Sequence, residues 1–247
     1  MVDPSRASPQ RFCGLIPAYN VAPTIPQVVQ QTREHLPVVV VVDDGSQDET
    51  AHVARESGAK VLKIPKNHGK GWALRCGFKD LLREPWEGII TLDGDLQHDP
   101  AEIPKLIEEY DKTKPTIVIG SRMAEAEKIP GVRYWTNRVG VFCISWAAGQ
   151  PLADTQSGFR LYGREVLESI PLWTSRYDTE TEILIKAGMR GMKITCVPIK
   201  TIYHEGEQNY SSFRPFPDTF LICMVFLKSL FWRRGWYLRD FRLQIVD

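Results

Sequence analysis

Neither sign of charge is in excess in this 247-residue sequence: 31 lysines and arginines face 30 aspartates and glutamates, a formal net charge of +1. There is no chain-wide field of the kind that draws in nucleic acid, so that class of partner is not expected. No stretch reaches the roughly 18 apolar residues that a spanning helix needs. The opening segment, MVDPSRASPQR, lacks an apolar core, so no signal peptide is expected there. Cys13, Cys76, Cys143, Cys196 and Cys223 are odd in number and scattered, with no CxxC pair; they read as reduced core thiols of a cytosolic protein. Also missing are a GxxxxGK[ST] loop, a GxGxxG turn after a strand and a GxSxG elbow. These absences remove the P-loop, dinucleotide and α/β-hydrolase readings.

What is present is enough apolar material for one large domain, and a regular alternation of element types. An apolar run at 12–16 suits a buried strand. Thr24-Ile25-Pro26-Gln27 offers a capping box with proline in the first turn, which predicts a helix over 24–36. Five consecutive valines at 38–42 are apolar on both faces, as in a central parallel strand covered on each side. That run stops at Asp43-Asp44-Gly45-Ser46, and a helix is expected from about Asp48. Strands follow at 61–64, 88–92 and 116–119, with helices at 70–82 and 100–110 between them. The second half is less regular: helices at 134–148 and, amphipathic, at 179–188, a strand at 193–197, a loop over 203–217, and an apolar helix over 219–232. The alternation predicts an α/β fold, a Rossmann-like, mostly parallel, doubly wound sheet with helices on both faces. Ligands of such sheets bind beyond the carboxyl ends of the strands. Ala18-Tyr19-Asn20, Asp43-Asp44, Asp93 to Gln97 and Ser121-Arg122 all fall there.

The most informative stretch is Leu92-Asp93-Gly94-Asp95-Leu96-Gln97. Residues two apart in extended chain point the same way, so Asp93, Asp95 and Gln97 can converge. Gly94 between them admits a ligand close to the backbone. Carboxylate and amide oxygens suit Mg²⁺ or Mn²⁺ and not zinc. Lys70 opens a helix, where it can meet a ligand phosphate. His98 and His204 are isolated and read as surface or supporting residues.

The motifs Ile16-Pro17-Ala18-Tyr19-Asn20, Val42-Asp43-Asp44-Gly45-Ser46, Asn67-His68-Gly69-Lys70-Gly71, Asp93-Gly94-Asp95-Leu96-Gln97-His98-Asp99-Pro100, Gly120-Ser121-Arg122 and Asp154-Thr155-Gln156-Ser157-Gly158-Phe159-Arg160 occur in this order. With that spacing the sequence resembles the family 2 glycosyltransferases of the GT-A fold, and among them the polyprenyl-phosphate (dolichol-phosphate) mannosyltransferases. The resemblance runs over about residues 12–219. It implies a catalytic domain over 8–205, followed at 206–247 by a loop and an apolar, basic helix. It implies that Pro17, Tyr19, Asp43, Asp44, Lys70, Asp93 and Gly94 bind the nucleotide sugar, and that Asp93, Asp95 and Gln97 hold the divalent cation. Asp95, Arg122 and Arg214 would be catalytic, with Arg122 and Arg214 on phosphates. Arg138 and Arg160 would meet the acceptor or its phosphate, and 211–215 would cover the site. One departure stands out: Val21 occupies the place of the family's usual glutamate, which alters a polar contact to the nucleotide.

The implied reaction is an inverting transfer of a sugar from a nucleotide sugar to polyprenyl phosphate. A phosphate acceptor, with its second pKa near ~6, is already mostly dianionic at neutral pH and needs no base. A hydroxyl of a soluble glycan or protein would need one. Asp154, Asp178, Glu180 and Glu182 are candidates, with helix capping and a solvated face as the alternative role. A non-catalytic nucleotide-sugar-binding module is the remaining reading. The helix over 219–232 is too short to span a ~30 Å hydrocarbon core, and Arg233, Arg234, Arg239 and Arg242 follow it. It is expected to lie on the cytoplasmic face of a membrane as a peripheral contact, with a core helix packed on the sheet as the alternative.

Overall fold

The structure, a computed structural model, describes residues 11–122, 131–200 and 215–232. The valine run forms β2 (Val39–Asp44), every residue of which is buried. Its side chains alternate between two cores. Val40 and Val42 pack with Leu15, Ile89 and Leu184 on one face, and Val39 and Val41 with Phe12, Ile16 and Val28 on the other. Burying each such side chain contributes roughly 1.5–3 kcal/mol, which fixes this strand in the interior of the sheet.

Around it stand β1 (Phe12–Ala18), β3 (Lys60–Ile64), β4 (Gly88–Thr91), β5 (Ile117–Ser121), β6 (Arg160–Gly163) and β7 (Ile194–Pro198). The seven strands lie in the order β3-β2-β1-β4-β6-β5-β7. All neighbours pair in parallel except β6, which runs antiparallel between β4 and β5. The helices are α1 (Ile25–Arg33), α2 (Thr50–Glu56), α3 (Lys70–Leu81), α4 (Ile103–Thr113), α5 (Gly131–Ala148), α6 (Arg164–Ser169), α7 (Asp178–Met189) and α8 (Pro215–Phe231). Helices cover both faces of the sheet, as the alternation predicts. β6 and α6 are additions to the predicted elements.

Several local expectations change. The Thr24 capping box is not made: the Thr24 hydroxyl donates to the Gly94 and Val21 carbonyls instead, at 2.6 and 3.2 Å. The helix expected at 100 starts as a 3-10 turn over Pro100–Glu102, where Asp99 caps the Ala101 amide. α7 is not amphipathic but buried on all sides from Asp178 to Ala187, all but its last two residues, because α3, α5 and α8 pack around it. α8 begins at Pro215, inside the expected loop; 201–214 lie outside the described residues, as does His204. Cys13 is a buried thiol as expected, whereas Cys223 is exposed. Among the described residues, no helix is long and apolar enough to cross a membrane.

Candidate active site

The carboxyl ends of β1, β2 and β4 and the first turns of α3 and α7 surround a cleft of about 380 Å³. Its rim is assembled by turn chemistry. Asn20 takes a left-handed φ of 52° and its amide donates to Ser46 Oγ; its own Oδ1 accepts the Gln47 amide. Asp48 accepts the Ala22 amide, and Asp43 accepts that of Ser46. The loops after β1 and β2 are thereby tied into one piece. Asp44 reaches further: its two oxygens accept the amides of His68 and Gly69 at 2.9 and 2.6 Å, placing the start of α3 against the cleft. Burial outweighs those bonds and raises the Asp44 carboxyl above its ordinary range.

At the end of β4, Asp93, Gly94, Asp95 and Gln97 line the cleft together. Burial works against an ionised Asp93, yet the positive charge of Lys70 overrides it and holds the carboxyl low. The Lys70 ammonium lies 2.6 Å from Asp93 Oδ1 and 3.0 Å from Glu180 Oε2. Asp95 moves the other way, to about 6, through burial and the neighbouring charge of Asp93. Two carboxylates so placed repel one another until a cation comes between them. Their donor set is all oxygen, which fits Mg²⁺ or Mn²⁺. No cluster of three or more His, Cys, Asp or Glu ligands occurs among the described residues. A cation here would therefore take Asp93, Asp95 and the Gln97 amide oxygen, and draw its remaining oxygens from ligand or water.

The support beneath this acidic turn is apolar and tight. A Cβ on Gly94 would stand 3.3 Å from both Val21 and Ile25, so Val21 serves as a buried prop in the place of the family's usual glutamate. His98, expected at the surface or in support, is 2% exposed and stacks on Phe159 with Nδ1 toward the Asp93 amide. Burial pulls its pKa down to about 4, so the ring is neutral. Gly158 has no room for a side chain, because a Cβ would sit 2.6 Å from Asp93 Oδ2 and 2.7 Å from Lys70 Nζ.

Of the predicted residues, Pro17, Tyr19, Asp44, Lys70, Asp93, Gly94, Asp95, Gln97, Arg122 and Arg160 all line the cleft. Arg160 nevertheless departs from its expected duty on an acceptor. Its guanidinium is wholly buried and donates to the carbonyls of Thr155, Ser157 and Glu180 and to the Tyr162 hydroxyl. It shapes the wall of the cleft. Asp43 is a turn former outside the lining, and Arg138, exposed on α5, is not among the lining residues either. Arg214 and most of 211–215 lie outside the described residues.

Three of the four base candidates hold backbone. Asp154 accepts the amides of Arg122, Gln156 and Ser157. Glu182, fully buried, accepts the amides of Trp173 and Thr174, the Thr174 hydroxyl and the Lys186 ammonium. Asp178 accepts the Arg176 amide. Glu180 alone of the four lines the cleft. What pattern reading misses is the role of Thr24, Val21, His98 and Gly158: His98 and Gly158 stand within the motifs, Thr24 reads as a helix cap and Val21 as a departure from the family, and none of them reads as support for the acidic turn.

Comparison with known proteins identifies the family and the fold. The profile of glycosyl transferase family 2 matches residues 14–170. Polyprenol monophosphomannose synthase of Mycolicibacterium smegmatis is 31% identical over 217 residues, 80% of this chain and 80% of that protein. A UDP-N-acetylglucosamine–dolichyl-phosphate N-acetylglucosaminyltransferase of Methanococcus voltae is 32% identical over 215 residues, 77% of this chain and 85% of that one. In fold, glucosyl-3-phosphoglycerate synthase of Mycobacterium tuberculosis superimposes with a TM-score of 0.72 at 19% identity, covering 91% of this chain and 81% of that one. The acidic turn at the end of β4 thus sits in the sheet of a GT-A enzyme, and the chain belongs to glycosyl transferase family 2: it is a glycosyltransferase.

Proposed function

We propose that the enzyme transfers a sugar from a nucleotide sugar to the phosphate of a polyprenyl phosphate, with inversion, and requires Mg²⁺ or Mn²⁺. The observation that carries this reading is the Asp93–Asp95 pair at the β4 end, with Lys70 and Arg122 on the same cleft. Pro17, Tyr19 and Asp44 would face the nucleoside. Asp93 and Asp95 would hold the cation with help from Gln97, and the cation would neutralise the charge that develops on the departing diphosphate. Arg122 and Lys70 would hold phosphate oxygens, for which the arginine fork is suited. Arg138 and Arg214 would serve the acceptor phosphate. A structure of the M. tuberculosis synthase is a complex with Mn²⁺, UDP and glucosyl-3-phosphoglycerate, which supports a nucleotide-sugar donor and a divalent cation in this reading.

Two features favour a lipid phosphate as acceptor. Structural duty occupies Asp154, Asp178 and Glu182, which suits an acceptor that needs no base. And the large exposed apolar side chains of the described residues gather on α5 (Val139, Phe142, Trp146) and α8 (Phe220, Leu227, Leu230), apart from Trp173. Trp146 and Phe226 join the two helices edge to face, and Ile222 of α8 reaches the cleft. An apolar face that runs from helix surface to cleft mouth suits a peripheral contact with a membrane presenting the acceptor. Transfer to a hydroxyl of a soluble glycan or protein is the second reading, with Glu180 as base.

Thermal unfolding with nucleotide sugars tests the donor and cation claims together. With Mn²⁺ present, one nucleotide sugar should raise the midpoint, since binding stabilises as RT ln(1 + [L]/Kd). The rise should vanish with chelator and in Asp95→Asn. A rise that survives both would remove the cation from the account.

A further inference from the structure

Among the described residues, Glu180 is the one acidic side chain of the cleft wall that neither the acidic turn nor the loop scaffolding uses. It sits in the first turn of α7 and is 4% exposed. Its main-chain carbonyl accepts from Arg160, which fixes the turn. One carboxylate oxygen, Oε2, is held by Lys70 at 3.0 Å. The other, Oε1, is buried and has no hydrogen-bond partner among the described residues. Buried polar atoms are nearly always paired, and a carboxylate oxygen is an especially costly exception. A group that lines a cleft and keeps an unused acceptor is built for a ligand that brings a donor.

The position selects which part of the ligand that is. Asp44 and Tyr19 mark the β1–β2 side of the cleft, and Asp93 and Asp95 the middle. Lys70 reaches from Asp93 to Glu180, so Glu180 lies one ammonium beyond the acidic turn. A nucleotide sugar laid with its diphosphate at the acidic turn brings its hexose within reach of Glu180. Phosphate oxygens only accept, and an anion would repel this carboxylate; sugar hydroxyls donate. We propose that Glu180 is a specificity-determining residue, which accepts a hydrogen bond through Oε1 from a hydroxyl of the transferred sugar. Lys70 fixes the other oxygen, so the acceptor lone pair is aimed before the donor arrives. The inference rests on the nucleotide-sugar reading above and adds the group that reads the sugar.

The test compares each nucleoside diphosphate with its own sugar conjugates: UDP against UDP-glucose and UDP-N-acetylglucosamine, and GDP against GDP-mannose. Binding is followed by calorimetry with Mn²⁺. The wild type should bind one conjugate more tightly than the bare diphosphate. In Glu180→Gln, Lys70 retains the amide oxygen and an NH₂ group faces the hydroxyl. The conjugate's advantage should fall by roughly ten- to a hundred-fold, the span of one hydrogen bond to a charged group, while diphosphate binding, which Lys70 serves, does not weaken. Glu180→Asp, which keeps the charge and withdraws it by one methylene, should lower the preference for that sugar without loss of fold. Equal weakening of diphosphate and conjugate would overturn the proposal by moving Glu180 to the phosphate end. An unchanged advantage with a fallen kcat would overturn it in favour of a general base. A wild type that binds no diphosphate at all would overturn the nucleotide-sugar reading and this inference together.

Discussion

Replacing Gly158 with alanine separates the needs of the fold from those of the site. The added Cβ would stand 2.6 Å from Asp93 Oδ2, 2.8 Å from Oδ1 and 2.7 Å from Lys70 Nζ. To approach the ~3.5 Å of ordinary contact, the carboxylate must retreat by roughly 1 Å. Over-filling of a packed site of this kind costs about 1–3 kcal/mol, and the flexible tip of Lys70 absorbs part of it, so the protein should still fold. Catalysis tolerates less: a displacement of about 1 Å in a positioned group is enough for a roughly 10²-fold loss. Gly158→Ala should therefore keep a cooperative unfolding transition in urea within about 3 kcal/mol of wild type. Its kcat/KM should fall by about two orders of magnitude, and its affinity for Mn²⁺ with nucleotide should fall too. Gly140→Ala is the control, since its Cβ would meet only Gln156 Nε2 at 3.9 Å. A Gly158→Ala enzyme within threefold of wild type would refute the claim that Asp93 must stay where Gly158 lets it stand.

Acid stability should carry the signature of His98. Its folded pKa of about 4 lies below the ordinary 6.5, so the unfolded chain takes up a proton first. Stability from this group is complete above about 6.5 and declines to about pH 4, by on the order of 3 kcal/mol; His98→Leu should flatten that part of the profile measured by urea unfolding, and an unaltered slope would count against a buried neutral ring. Glu182→Ala leaves buried Lys186 without its counter-charge and should destabilise by about 3–5 kcal/mol; a variant of normal stability and collapsed kcat would instead make Glu182 a base. The exposed α5–α8 face should carry the protein up a flotation gradient with anionic liposomes at low salt, and Phe142→Glu should abolish this; a wild type that never floats would leave the face unexplained.

Much of this architecture is written in the sequence because apolar runs and polar strand ends coincide. The valines of β2 end in Asp43-Asp44, and the run before Asp93 marks β4. β6 escaped for a physical reason. Arg160-Leu161-Tyr162-Gly163 is only four residues long and alternates large polar with apolar side chains, yet all four are buried. Burial is possible there because Arg160 finds three carbonyls and a hydroxyl inside the protein, which no local pattern reveals. The cleft was legible as motif residues, but its internal order was not. The sequence could not show that Thr24 braces the Gly94 carbonyl, or that Glu182 holds a loop while Glu180 faces the cleft. Such distinctions arise only when α7 is set against the sheet.

The most direct test of the account is transfer itself. Radiolabelled UDP- and GDP-sugars are incubated with the enzyme, Mn²⁺ and a polyprenyl phosphate, then partitioned between water and organic solvent. Label should pass to the organic phase for one donor, with the transfer abolished by chelator and in Asp95→Asn. Label that stays in water with every lipid phosphate but appears on a soluble glycan hydroxyl, or transfer that continues in excess chelator, would contradict it.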